Sequence, residues 1–456
     1  MAADPAGLAP IQLDDDPDRV PSAVGDINTP FSRSDDQPEA LPSGPRQPDS
    51  PTPADDTVWP PELKESLQST NPFFRDTTLK LYMRSFYFDG EENGDIPQKA
   101  WAAGGALWYQ SGYLNDRFQV GAAVATSQPL YAPAGEGGTG VLTNDQGEIT
   151  TPLLAYGRVR GLGQEVTIGR QALHLPYVNM QDNRMIPITF EGVTVTRSGV
   201  SDTAPNYISG YLWRYKTQSS RTFDPMSEGL GVAEDRGMAL NGVLITPRDG
   251  LTMGVLNYYV PDTLTTTYGE VDWLFPEMQT GLQYRTSVNY TDQRSVGADL
   301  IPGGPYDTNQ VSFRAAASLN GFTLTAAASF NGDGAPIQSP YGSFTVYTDF
   351  DQSDWERAGE QAWAIFAAYD FSKRVPGLKM QVSYGQGREA IDPLNGAPLP
   401  DIDEIDFNID YQPQSGPLQN LRFQLLYSVE DILLDGPADA EAPQLRTVVT
   451  YVVPLL

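Results

Sequence analysis

The sequence predicts an all-β protein: a transmembrane antiparallel β-barrel of about eighteen strands, carrying a disordered N-terminal extension. Three observations predict it. From Thr77 onward, segment after segment alternates apolar and polar residues. The connections between segments alternate between short turns and long loops. Charged residues recur in mid-strand, always on the polar parity.

Residues 1–75 form the extension, and residues 76–456 the barrel. "DDDPDRVPSAVGDINTP" and "PRQPDSPTPADD" are rich in Pro, Asp and Ser. Acids there outnumber bases by roughly three to one, and too few apolar residues exist to build a core. The extension is read as a periplasmic tail, a plug, a binding arm, or a solvated tail with no specific role. Pro60, Pro61 and Glu62 are suited to opening one or two helical turns before Gln68. No basic-then-apolar leader precedes the start, so Met1 before "AADPAG" reads as an initiator added to a mature chain.

The strands then follow in order. "TLKLYMRSFYF" comes first, then "KAWAAGGALWYQSGYL" and "RFQVGAAVAT" joined by "ND". "LLAYGRVR" and "EVTIGRQA" are joined by "GLGQ", and "MALNGVLI" and "LTMGVLNYYV" by "TPRDG". "TGLQYRTSVNY" follows "PEMQ", and "QLRTVVTYVVPL" closes the series. The long connections, 128–151, 217–236, 291–308, 331–359 and 388–400, all fall at one end, as in bacterial outer-membrane barrels. "VPD" near Pro261 should lie at that end yet is short. Tyr82, Phe86, Tyr87, Trp101, Trp108, Tyr109, Trp273, Phe275, Tyr284, Tyr290, Tyr384, Tyr411 and Tyr427 gather toward strand ends, where aromatic girdles meet the two membrane interfaces.

With the oily parity of each strand facing lipid, the remaining parity faces the lumen. It carries Lys80 and Arg84, Arg158 and Arg160, Arg285, Arg314, Lys379 and Arg422. Glu270 and Asp272 share one inward face, and Asp406 and Asp410 another. A charge facing lipid at mid-membrane costs ~2–4 kcal/mol, so these side chains call for a wet interior. Guanidinium groups at successive depths would pass a carboxylate along the lumen. The competing reading is that each arginine pairs with a lumen acid and braces the wall.

Composition excludes other classes. The chain has no cysteine, one histidine and a net charge of -29. No disulfide framework, Cys/His metal site or basic nucleic-acid face is available. No cofactor or metal is expected. A barrel enzyme would depend on His174, which sits among apolar neighbours in "QALHLPY" and reads as a packed loop residue. Asp349, Asp351 and Asp354 in "YTDFDQSDWE" have oxygens suited to Ca²⁺. They are read first as solvated loop charge, with divalent bridging to lipopolysaccharide in between.

The stretch "GRQALHLPYVNMQDNRMIPITFEGVTV" resembles the OprD-type, substrate-specific outer-membrane porins. Gly169, Arg170, Gln171, Pro176, Asp182, Arg184, Pro187, Thr189, Phe190 and Gly192 carry the match. "LYMRSFYF" and "GGALWYQSGY" are similar to that family's opening hairpin. The resemblance runs roughly from Thr77 to the end. It implies an eighteen-stranded barrel in the bacterial outer membrane. It also implies that the third extracellular loop, about 172–189, folds inward as a constriction, with Pro176, Tyr177, Asp182, Arg184 and Pro187. Small carboxylate-bearing solutes would pass a ladder of basic side chains; Arg184, within the matched loop motif, reads either as pore-lining or as purely structural. Tyr177, Met180 and Met185 suggest an apolar side to the constriction. The extension departs from the family pattern, and Leu456 stands where such barrels usually place an aromatic. Expected partners are outer-membrane lipid and lipopolysaccharide, small carboxylates and a periplasmic partner of the extension; a monomer or a loose trimer is expected.

Overall fold

The computed structural model describes residues 61–92, 96–197, 205–275, 281–342, 346–433 and 440–456. Eighteen long strands form one antiparallel sheet that closes on itself. The first six are β1 (Thr78–Glu92), β2 (Ile96–Gln110), β3 (Phe118–Tyr131), β4 (Ile149–Gly161), β5 (Gln164–Gln171) and β6 (Thr189–Arg197). Next come β7 (Asn206–Lys216), β8 (Met238–Arg248), β9 (Leu251–Val260), β10 (Leu264–Leu274), β11 (Gln283–Ser295) and β12 (Asp307–Leu319). The last are β13 (Phe322–Asn331), β14 (Gln361–Asp370), β15 (Leu378–Arg388), β16 (Asp401–Tyr411), β17 (Leu421–Leu433) and β18 (Ala440–Pro454). Each pairs with its sequence neighbour. The seam is β18 on β1, in register from Lys80↔Pro454 to Gly90↔Gln444. It ends with the Leu455 N–H donating to the Leu79 carbonyl at 2.7 Å.

Alternation decides which side chain goes where. Along β11, Ser287, Asn289, Thr291 and Gln293 are buried in the interior, while Tyr284 and Tyr290 project outward. Met83, Leu107, Val124, Ile168, Val255, Phe313, Leu324, Ile365, Val382 and Ile405 are likewise exposed on the outer face. That apolar belt would be a liability in water and is what hydrocarbon requires. No helix among the described residues is long and apolar enough to cross a membrane.

One end of the barrel carries L2 (132–148), L3 (172–188), L4 (217–237), L6 (296–306), L7 (332–360) and L8 (389–400). The connection 261–263 stays short at that end, with Asp262 in the left-handed region at φ 58°. The other end has the turns and the N-terminal helices α1 (Pro61–Gln68) and α2 (Pro72–Arg75). The Asn71 side chain caps α2 by accepting from the Phe73 N–H at 3.0 Å, and the Gly112 N–H ties the helix to the β2–β3 turn. Residues 1–60 of the extension, and with them the readings of it as tail, plug or arm, lie outside the described residues.

The girdle needs correction at three aromatics. Tyr82, Phe86 and Trp108 face inward, with the Tyr82 and Trp108 rings edge to face at 5.9 Å. The interior beside β1–β4 is apolar because Val141 and Leu142 of L2 and Met180 and Ile186 of L3 pack there. The inner parity of a strand turns apolar where an apolar loop segment covers it.

Candidate functional site

L3 spans the interior. Leu173, Leu175, Tyr177, Val178 and Ile188 pack against β7–β10, among them Leu212, Leu240, Leu256, Tyr258 and Tyr268. Met180, Met185 and Ile186 pack against β1–β4. Polar contacts fix both ends. On one side the Tyr177 hydroxyl donates to Thr291 Oγ1 of β11 at 2.9 Å, and Tyr258 of β9 donates to the Pro176 carbonyl. On the other, Arg84 of β1 grips the Asp182 carboxylate through both nitrogens at 2.6 and 3.0 Å and also donates to the Arg184 carbonyl. β1 and β9–β11 lie nearly opposite each other around an eighteen-strand wall. Arg184 donates to the Thr139 carbonyl at 3.0 Å and lies over the Phe88 ring. Pro187 is buried, and burial pushes His174 down to about 4.

L7 is a second inward loop, and the expectation of solvated loop charge fails for Asp349 and Asp351, while Asp354 is exposed. Asp349 and Asp351 are buried in the barrel. The Phe350, Trp355 and Phe366 rings pack together on the wall. Glu404, Asp406 and Glu430 of β16 and β17, with Arg446 of β18, contact the segment 351–353. The segment 351–353 is enclosed because the wall supplies its backbone and the Ser353 hydroxyl with the donors and acceptors that water would otherwise supply. Among the described residues no three acidic groups converge as a cation site. L3 and L7 touch where the Asn179 N–H donates to the Tyr341 carbonyl at 3.1 Å.

The remaining interior charges are grouped. Asp272 of β10 receives Arg285 of β11 at 2.9 Å, Arg314 of β12 at 3.0 Å and the Ser287 hydroxyl. Arg314 is the more buried guanidinium, its side chain 5% exposed against 19% for Arg285, and the Tyr347 ring of L7 covers one face at 4.4 Å. Tyr347 also donates to Glu270 at 2.6 Å. Arg422 pairs with Asp410, which lies opposite Lys379 in the β15–β16 register. Arg158 contacts Glu165 at 3.0 Å and Gln119 at 3.1 Å. Arg160 lies at the turn rim, over the Tyr113 ring and against Asp116. Lys80 is buried on the interior face of β1. Glu404, Glu430 and Arg446 were missed from sequence. The signal was present in "EIDFNID", where Glu404, Asp406, Asn408 and Asp410 share one parity of one strand.

A closed barrel with an oily outer belt, long loops at one end and a charged interior crossed by loops is an outer-membrane porin. The family model for outer membrane porins of the OprD family matches residues 71–455, and this chain belongs to that family. The fold is shared with solved structures of low identity. OccK9 (OpdG) of Pseudomonas aeruginosa is 20% identical with a TM-score of 0.75, covering 84% of this chain and 100% of that one. A BenF-like porin from Pseudomonas fluorescens Pf-5 is 18% identical with a TM-score of 0.76, over 84% and 100%. OpdK of Pseudomonas aeruginosa, solved with vanillate, is 21% identical with a TM-score of 0.73, over 84% and 100%. No curated protein matches the chain. The porins of this family are channels and not enzymes, and they reside in the outer membrane.

The enclosed acids give L7 a pH dependence. Burial, and then the neighbouring Asp354 carboxylate, hold the Asp349 carboxyl well above the usual carboxylate range. A carboxyl whose pKa rises on docking favours the docked loop while protonated. That contribution is full below the ordinary Asp value near 4 and is lost as pH rises through the raised value. Current noise through the wild-type channel is expected to grow as pH rises, and Asp349→Asn should flatten the response. Equal pH profiles for the two channels would contradict this.

Proposed function

We propose that the barrel provides passive, substrate-selective diffusion of small carboxylate-bearing solutes. In this reading the lumen is narrowed by L3 and L7 and lined by Lys80, Arg84, Arg158, Arg160, Arg184, Arg285, Arg314, Lys379 and Arg422, with Glu270, Asp272, Asp406 and Asp410 as acidic counterparts. The observation that carries it is the group at Asp272, where two guanidiniums share one carboxylate, so that neither cation has a carboxylate to itself. Arg285 is the more exposed of the two, so it is the side chain that meets a passing anion. Planar guanidiniums bind carboxylates in a two-pronged geometry and release them readily where water competes. The vanillate in the OpdK structure is an aromatic carboxylate, which supports the same solute class for this chain.

Liposome swelling tests the proposal. A small aromatic carboxylate should enter faster than its neutral amide of equal size. Equal rates would remove carboxylate selectivity. A barrel silent to every solute, both as the full chain and without residues 1–60, would remove the channel reading itself.

A further inference from the structure

We propose that Glu404 is a positioning residue whose carboxylate holds L7 inside the barrel and so sets the width of the open channel. The inference rests on the channel reading above. Glu404 projects from the interior face of β16 and is 1% exposed. Its two oxygens accept two successive backbone N–H groups of the loop, Gln352 at 2.9 Å and Ser353 at 2.8 Å. Asp406, the next inward residue on the strand, accepts the Asp351 N–H at 3.3 Å. Three consecutive loop amides thus end on wall carboxylates.

The wall is built as a receptor for this segment. Glu404 lies directly opposite Glu430 in the β16–β17 register, an arrangement of like charges that destabilises a bare sheet. Ser353 resolves it by donating its N–H to Glu404 and its hydroxyl to Glu430 at 2.5 Å. The acid pair is tolerable with L7 in place and unfavourable without it. β15 makes room for the same loop. A Cβ at Gly385 would meet the Phe350 ring at 2.7 Å, and one at Gly387 would meet the Trp355 ring at 2.5 Å. Hydrogen bonds to a charged acceptor are the stronger class, and a buried amide left without one carries its full desolvation penalty. Glu404 satisfies two amides at once, so its loss acts on the loop more than any other single wall contact.

Single-channel recording of the full chain in planar bilayers tests this. Glu404→Ala should raise the population of undocked L7 on the order of a hundredfold, through loss of two charge-assisted hydrogen bonds. The trace should then visit a conductance level above the wild-type level. Glu404→Gln, which keeps one acceptor, should be intermediate, and it serves if the alanine variant does not assemble. Folding is checked by heat-modifiable mobility on gels. In a channel whose residues 349–355 are replaced by a Gly/Ser linker, Glu404→Ala should add no further change. A conducting wild type with identical Glu404→Ala and Glu404→Gln traces would overturn the proposal, as would an alanine effect that persists in the linker channel. A wild-type barrel that does not conduct would instead overturn the channel reading.

Discussion

Replacing Arg285 and Arg314 together with glutamine is expected to shift the ion preference of the channel strongly toward cations. Two guanidiniums face Asp272 with Glu270 close by, and the double substitution removes both positive charges and leaves the two carboxylates. A unit charge about 8 Å from a passing ion, at an effective dielectric of about 40, contributes roughly 1 kcal/mol. Two units contribute about 2 kcal/mol, and screening near physiological salt, with a Debye length of about 8 Å, cuts that to under half. The same potential opposes an anion and favours a cation, so the anion-to-cation permeability ratio should fall about tenfold on that basis. Asp272→Asn should shift the reversal potential the opposite way. It should also destabilise the barrel, because Arg314 is left buried with a weaker partner. Reversal potentials in a salt gradient measure both. An unchanged potential in the double variant would mean that the Asp272 group does not face the conduction path.

The second large effect belongs to Arg84. Its side chain is 11% exposed and that of Asp182 14% exposed, so the pair that joins β1 to L3 is well enclosed. Breaking one partner of a buried pair costs about 3–5 kcal/mol, chiefly because the other charge is left behind. Arg84→Met should therefore free the middle of L3 while the Tyr177–Thr291 and Tyr258–Pro176 contacts keep its other end fixed. Higher and noisier conductance is expected. Removing both charges in Arg84→Met/Asp182→Leu should recover most of the wild-type behaviour, since an apolar pair suits the neighbouring Met180 and Ile186. If the double variant is no quieter than the single one, the pair acts on something other than L3.

The barrel was legible because a period of two held over ten or more residues marks a strand with two unlike faces, and Gln283–Ser295 keeps that period to the end. Which parity faces inward was readable for the same reason. What each inward charge touches was not. Arg285 and Asp272 sit on adjacent strands, so their pairing could be named as an alternative from sequence. Arg314 reaches the same carboxylate from one strand further on, which no local pattern announces. L7 was misread because its acids resemble a solvated loop. Their partners are spread over β16, β17 and β18, fifty to ninety-five residues away in the chain. The inward Tyr82, Phe86 and Trp108 were misplaced because a strand cannot reveal which loop will cover it.

The β1–β18 seam has a consequence for how the molecule is made. Lys80 meets Pro454 and Gly90 meets Gln444, so the edge of β1 is the earliest strand edge to appear and the last to find its partner. Contacts of such long sequence separation are slow to form, and an open strand edge is a template for pairing with other chains. Every other strand can join a neighbour as it arrives. The first one must be kept from the wrong company until the rest of the wall exists, which makes its outer edge the point where assembly and aggregation compete.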